Sequence, residues 1–408
     1  MTPWKSCWSC RCRSDGSRLS RNLAGALLVL ATAQPLLATA ARQTGSTQTE
    51  EVQSGGLQAG TQEPDDDAGG LAGNAFMVDR NGDGVLTEDE VMPRAFSLLD
   101  ANRDGRADPG EVSAFLARGR ESGPFGWVNP PAEDGRIPGV THATFDSPSM
   151  GTPVGYNIYL PPGYDDAANR NTRYPVIYYL HGGRPGNESR SIGIAEHLHA
   201  AVASGAVRPV IFVWANGGQV SWYDYEESRG EEVFVRELIP HIDRTYRTLA
   251  HRGGRGLQGF SQGGRGTTRI MFRYPHLFIS AAPGGPGYAV EKLVFENDGV
   301  ERDPRARPAE SARSFDFGKG NDAYSLARSY AQDGMQPPLN IMIWLGNKGF
   351  NYEASLEYLG YLDGLGVPAE RLVAPGVDHN PVWFYETHGV DLLRFHDRYW
   401  NESQPDGR

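Results

Sequence analysis

Short apolar and β-branched runs recur along the C-terminal two-thirds of the chain, separated by polar stretches. They predict strands at 141–145, 155–160, 176–180, 210–214, 255–258, 278–282, 341–345 and 371–374, because brief apolar runs bounded by turn residues suit buried strands. Between several of them the apolar residues return with helical period, over 231–246, 263–274, 353–365 and 382–400. Strands alternating with helices predict a mostly parallel sheet covered on both faces. The first two strands have no helix between them, which predicts an antiparallel hairpin at one edge. The fold class is α/β, with this large domain at 136–402.

The upstream sequence has a different texture. Residues 41–70 are rich in Gly, Gln, Thr and Asp and almost lack large apolar side chains, which predicts a disordered linker. Residues 119–135 are rich in Gly and Pro and read as a second linker. At the N-terminus Arg11, Arg13, Arg18 and Arg21 precede an apolar run at 23–40, with Ala38 and Ala40 in A-x-A spacing. Residues 1–40 therefore read as a secretory signal peptide, interrupted by Gln34 and Pro35 in a way a membrane anchor would not favour. A secreted or periplasmic protein follows, without a stable membrane span once the signal is cleaved.

The 408 residues carry a net charge of −11, which argues against nucleic acid as a partner. The three cysteines, Cys7, Cys10 and Cys12, all precede the expected cleavage, so the exported protein would hold no disulfide. No matching half of a metal site follows them.

Between the two linkers, 71–118, lie two twelve-residue stretches of one template, DRNGDGVLTEDE and DANRDGRADPGE. Each has Asp first (Asp79, Asp100), Asn third (Asn81, Asn102), Asp fifth (Asp83, Asp104), Gly sixth (Gly84, Gly105) and Glu twelfth (Glu90, Glu111). This is the EF-hand calcium loop, in which alternating side chains turn inward on a hard cation and glycine permits the sharp bend. The backbone carbonyls of Val85 and Arg106 and the ninth-position residues Thr87 and Asp108 complete the expected shell. Only one helix, near 88–99, fits between the loops, so the pair is a compact variant. Its spacing resembles dockerin modules, but Glu at the twelfth position favours a plain EF-hand pair. Structural calcium is expected to order this small helical module, and a protein partner of the module is a further expectation.

The candidate chemistry centres on Gly259-Phe260-Ser261-Gln262-Gly263. It is G-x-S-x-G between a predicted strand and a predicted helix, the context of a nucleophile elbow, with Ser261 as nucleophile. The strand at 176–180 runs into His181-Gly182-Gly183, where α/β-hydrolases place part of the oxyanion hole. The expected donors are the N–H groups of Gln262 and Gly183. His181 reads as structural. Among later histidines, His276 follows the helix after the elbow, and His388 and His396 lie in the last helix. His379 sits in a loop between a strand and the final helix, the expected place for the base.

With YNIYLPPGY, YYLHGG, ELIPHID, GFSQGG and the DHNPVW segment as markers, residues 140–400 resemble the putative esterase family of α/β-hydrolases, which includes feruloyl and acetylxylan esterases and enterochelin esterase. The resemblance implies a triad acid after the strand reading IMIWLG, at the position held here by Gly349. Glu353 is the nearest carboxylate; Asn347, Asp316, Asp322, the Asp224/Glu226/Glu227 group and Asp378 are alternatives. Trp222, Tyr223, Tyr225, Tyr288, Phe350, Tyr352, Trp383 and Phe384 are candidate aromatic lining. The reading is a serine carboxylic-ester hydrolase, with carbohydrate-linked acetyl or feruloyl esters as candidate substrates. Two alternatives stand beside it: acyl transfer with the same residues, and a catalytically weak or inactive fold using the calcium module for protein or surface contacts.

Overall fold

All eight predicted strands form, and they join one sheet. The computed structural model describes residues 83–87, 90, 91, 96, 99–112, 125–131, 137–302 and 314–400. The chain divides into Met1–Thr61 and Gln62–Arg408, and every described residue belongs to the second unit. The signal peptide at 1–40, the linker at 41–70, and Asp79 and Asn81 lie outside the described residues.

The strands are β1 (Val140–Ser147), β2 (Thr152–Tyr159), β3 (Val176–Leu180), β4 (Ile211–Ala215), β5 (Arg255–Phe260), β6 (Ser280–Gly284), β7 (Asn340–Gly346) and β8 (Glu370–Ala374). Their order is β1-β2-β4-β3-β5-β6-β7-β8. β1 and β2 pair antiparallel at the edge, β2 pairs antiparallel with β4, and the rest run parallel. β3 and β4 are buried at every position, as expected of strands covered on both faces. Alternate β3 residues enter different cores: Val176, Tyr178 and Leu180 on one face, Ile177 and Tyr179 on the other.

Among the described residues seven helices cover the sheet. They are α1 (Ile194–Ala203), α2 (Gly230–Glu232, a π-helical Val233–Leu238, then Ile239–Thr245), α3 (Gln262–Arg273), α4 (Tyr288–Glu296), α5 (Ala323–Gln332), α6 (Tyr352–Leu365) and α7 (Pro381–Asp397). Helices α1 and α7 pack on one face through Leu198, Leu392 and Phe395. Helices α2 to α6 pack on the other through Phe234, Ile270, Tyr288, Tyr324 and Tyr358. Helix α3 is buried along almost its whole length despite three arginines. Each finds a carboxylate: Arg265 meets Glu291 at 2.7 Å, while Arg269 and Arg273 share Glu231 at 3.4 and 2.7 Å. Pairing is what makes buried charge tolerable.

After β3 the chain adds β4 on one side, then crosses to β5 on the other. The connections part at that point and open a crevice beyond the strand ends, where ligands bind in open α/β sheets. Leu180 is in register with Gly259, so His181-Gly182-Gly183 and Phe260-Ser261 leave the sheet side by side.

One stretch behaves differently from the linker its composition predicts. Residues 125–131 are fastened to the α/β domain. Glu188 is buried and accepts from the Asn129 N–H at 2.5 Å, from Asn216 Nδ2 at 2.7 Å and pairs with His142 Nε2 at 3.0 Å. Ser189 Oγ donates to the Asn129 carbonyl at 2.5 Å, and the Trp127 carbonyl accepts the Gly155 N–H at 2.7 Å. No helix among the described residues is long and apolar enough to cross a membrane.

In the calcium-like region, Leu86 and Ala107, each eighth in its loop, exchange backbone hydrogen bonds of 3.0 and 2.8 Å. Leu86, Val91, Phe96, Leu99, Ala107 and Val112 bury a small core of their own.

Candidate active site

Ser261 stands between β5 and α3 with φ 58° and ψ −115°, a strained backbone for a residue with a side chain. The flanking glycines permit it. An added Cβ at Gly263 would collide with the Leu180 carbonyl, and one at Gly259 with the Gly263 carbonyl. The Ser261 N–H is held by the Gly284 carbonyl at 2.8 Å. This strand–turn–helix therefore has the shape expected of an elbow.

The His181-Gly182-Gly183 segment lies against it. A Cβ placed on Gly182 would sit 3.1 Å from the Ser261 Cβ, and Gly183 turns away at φ +79°. Gln262 begins α3, where its N–H has no intrahelical acceptor. The two expected oxyanion donors thus come from backbones that meet at Ser261. His181 is structural, as its position in sequence suggests. Its Nε2 accepts the Gly217 N–H at 2.9 Å, its Nδ1 faces the Gly182 carbonyl at 3.1 Å, and its own carbonyl accepts from Trp222 Nε1 at 3.0 Å. Burial lowers its pKa to about 3, so the ring is neutral.

His379 reaches the same edge of the sheet. Its ring rests on Phe260, with centroids 4.5 Å apart, and under Phe350 at 4.4 Å. A Cβ on Gly285, just after β6, would lie 3.1 Å from His379 Cε1. His379 Nε2 is buried without a hydrogen-bond partner among the described residues. Burial alone lowers the imidazole pKa to about 3. Catalytic hydrogen bonds are commonly long in free enzymes and tighten with substrate.

The structure does not bring Glu353 to the histidine. Glu353 is exposed on the first turn of α6. Four of the other acids are held by local backbone N–H groups, while Glu226 and Glu227 line the cleft beside Gln262. Asp224 caps α2 through the Glu231 and Glu232 N–H groups, Asp322 caps α5 through Ser325, and Asp316 accepts the Gly318 N–H. Asp378 accepts the His379 backbone N–H at 2.6 Å, and Asn347 accepts the Gly376 N–H at 2.7 Å. Gly349 itself lies against the histidine: a Cβ there would be 3.5 Å from His379 N and 3.6 Å from its Cα, ordinary contact.

The aromatic lining is mostly packing. Trp222, Tyr223, Tyr288 and Phe384 are buried. Trp222 packs at a tilt against His181 at 4.7 Å, Tyr223 donates to Glu291, and Tyr288 stacks on Tyr358 at 3.8 Å. Tyr225 instead lines a cleft of about 1010 Å³ beside Gln262, with Arg184, Arg265 and Glu301. Its ion pairs, Arg184–Glu301 at 2.9 Å and Arg265–Glu301 at 3.0 Å, were not legible in the sequence.

The calcium-like loops have the right backbone and oxygen-only donors. Gly84 and Gly105 turn at φ +78° and +84°. In the second loop the Asp100 carboxylate takes the Asp104 and Gly105 N–H groups at 3.0 and 2.9 Å. Glu111 takes Asn102 and Asp108 N–H groups at 3.0 and 3.1 Å, and Asp108 returns the bond to Glu111 N–H at 2.9 Å, a capping box. Among the described residues no three His, Cys, Asp or Glu side chains are grouped to hold a metal ion.

Comparison with known proteins agrees with this geometry. Residues 147–290 match the model of the family described as "Putative esterase". The chain is 31% identical over 234 residues to an endo-1,4-beta-xylanase/feruloyl esterase of Xylanibacter ruminicola, covering 52% of this chain and 31% of that protein. It is 31% identical over 197 residues to Esterase Rv1288 of Mycobacterium tuberculosis, covering 45% of this chain and 41% of that one. The chain thus spans less than half the length of these relatives. A solved ferulic acid esterase superposes with a TM-score of 0.51 at 20% identity, over 64% of this chain and 98% of the other. Over residues 147–290 the chain is similar to the putative esterase family, and it shares the α/β-hydrolase fold of the solved esterase.

Proposed function

We propose that the protein is a serine carboxylic-ester hydrolase. The observation that carries this reading is Ser261 at φ 58°, wedged between Gly259 and Gly263 and facing the Gly182–Gly183 backbone. Ser261 Oγ attacks the ester carbonyl while its proton passes to His379 Nε2. The carbonyl electrons move onto oxygen, where the N–H groups of Gln262 and Gly183 receive the charge. Collapse breaks the bond to the alkoxide, which takes the proton back from His379. Water then attacks the acyl-enzyme with His379 as base, and the acid is released. Hydrolysis of p-nitrophenyl acetate and methyl ferulate, beside Ser261→Ala, tests this. Turnover that the variant loses supports it; equal turnover by both contradicts it.

Carbohydrate-linked acetyl or feruloyl esters are the proposed substrates, the feruloyl arm supported by the likeness to an endo-1,4-beta-xylanase/feruloyl esterase. Export to the periplasm or outside the cell fits such polymers. Calcium is the proposed structural ion of the paired loops, held through Asp100, Asn102, Asp104, Asp108 and Glu111 and their counterparts in the first loop. It would order that module and take no part in ester chemistry. Among the described residues no carboxylate is hydrogen-bonded to the His379 ring, which favours one second reading: a weak or inactive hydrolase fold that uses the paired loops for protein contacts.

A further inference from the structure

The imidazole of His379 has ring neighbours where a triad base has a carboxylate. Phe260 lies on one side and Phe350 on another, with centroid distances of 4.5 and 4.4 Å and tilts of 35° and 50°. Phe350 is 65% exposed, one of only two large hydrophobic side chains so exposed among the described residues. Its ring pairs with the buried imidazole while most of its surface stays in solvent. The groups around the ring are Phe260 from β5, Gly285 after β6, Gly349 and Phe350 after β7, Asn351 and Tyr352 opening α6, and Asp378. Only Tyr352 and Asp378 among them titrate; one Asp378 oxygen accepts the backbone N–H of His379, and no hydrogen bond joins Asp378 to the ring. Asn351 Nδ2 donates to the Gly285 carbonyl at 2.7 Å. The space beside the His379 backbone is left to Gly349, where a side chain would fit at ordinary contact distance.

Resting on the serine-esterase reading, we infer that Ser261 and His379 work as a dyad, and that Phe350 with Phe260 positions the imidazole in place of an acid. Two rings limit rotation of the imidazole about its own bond, which is the orienting part of the acid's task. Their faces also attract the imidazolium while it holds the serine proton, since a cation within about 6 Å of an aromatic centroid is stabilised. Phe350 is a positioning residue; it takes no proton.

The experiment compares the full chain with Phe350→Ala, Phe350→Tyr, Gly349→Asp and the Gly349→Asp/Phe350→Ala double variant. Each is measured for kcat, KM and the pH profile on p-nitrophenyl acetate, and for the rate of Ser261 phosphonylation by a fluorophosphonate. Phe350→Ala lowers kcat and the phosphonylation rate about tenfold or more, with KM within about threefold, because general-base help is worth roughly 10²–10⁴ in rate. Phe350→Tyr keeps the ring and stays within about threefold. Gly349→Asp raises the acid limb of the profile by about one pH unit or more. In its presence Phe350→Ala costs less than about threefold, because the carboxylate now does the orienting. A Phe350→Ala change confined to KM makes the ring a substrate contact and overturns the inference. So does an undiminished Phe350→Ala loss in the Gly349→Asp background, or a Glu353→Gln variant that loses activity and shifts the acid limb. Failure of the underlying reading looks different: Ser261 is then not phosphonylated in any variant.

Discussion

His181 Nε2 accepts the Gly217 N–H at 2.9 Å, which ties the strand-end loop of Gly182 and Gly183 to the turn after β4. The bond needs an unprotonated Nε2, and burial keeps the ring neutral. His181→Ala removes this acceptor without touching Ser261. We predict a fall in kcat of about tenfold or more with little change in KM, since displaced oxyanion donors cost the transition state and not the bound substrate. Steady-state kinetics on p-nitrophenyl acetate check it; an unchanged kcat would mean that the loop holds its shape by other bonds.

Acid should unfold this protein through its buried histidines. His181, His379 and His396 each have a pKa lowered to about 3 by burial. In the unfolded chain they bind protons near pH 6.5, so the unfolded state holds more protons between those limits. Their contribution to stability is complete above about pH 6.5 and is lost as pH falls toward 3. Three such groups give a slope of up to about 4 kcal/mol per pH unit near pH 5. Urea unfolding at stepped pH reads this slope, and His379→Gln should reduce the histidine part by about a third.

The stretch at 125–131 belongs with the α/β domain. Buried Glu188 loses the Asn129 bonds if that stretch is removed, leaving a carboxylate short of donors. A chain beginning at 121 should keep the melting temperature of the catalytic domain, whereas one beginning at 137 should melt lower by several degrees, as befits a loss of about 1–3 kcal/mol. Equal melting of the two would show that water replaces Asn129 at no cost.

Calcium should raise the melting temperature of the paired loops and leave kcat unchanged. Binding only to the folded state stabilises by mass action, about 2.7 kcal/mol at a hundredfold excess over Kd. Calorimetry of the full chain with calcium or EDTA reads it. Identical transitions in both would rule against the structural ion, and a fall in kcat at unchanged folding would rule against its separation from the chemistry.

Much of this architecture is legible in residues alone. The strands at 176–180 and 210–214 are apolar throughout because both faces are buried, and the hairpin shows itself by the lack of a helix between 145 and 155. Strand β6 is harder: its residues are small and include Pro283, so it forms at Ser280–Gly284, two residues beyond the run marked by Phe278. Helices α1, α4 and α5 are short, and their apolar residues are interleaved with polar ones that pair tertiarily, such as Glu291 with Arg265. At the site, the strained turn at Ser261 and the loop that carries His379 are legible because glycine spacing and loop position are local. The docking of Asn129 on Glu188 spans 59 residues, and a Gly/Pro-rich stretch reads alike whether free or fastened. Buried Trp222 and Tyr288 and exposed Phe350 are all aromatic residues in sequence; only packing separates them.

A serine esterase carries its acyl group covalently on the nucleophile, here Ser261. Rapid quenching of the protein with p-nitrophenyl acetate, followed by peptide mapping, looks for it directly. The account predicts an acetyl group on the peptide carrying Ser261, formed with the initial burst and absent from Ser261→Ala. Turnover with no acetylated peptide, or acetylation at another residue that Ser261→Ala leaves intact, would contradict it.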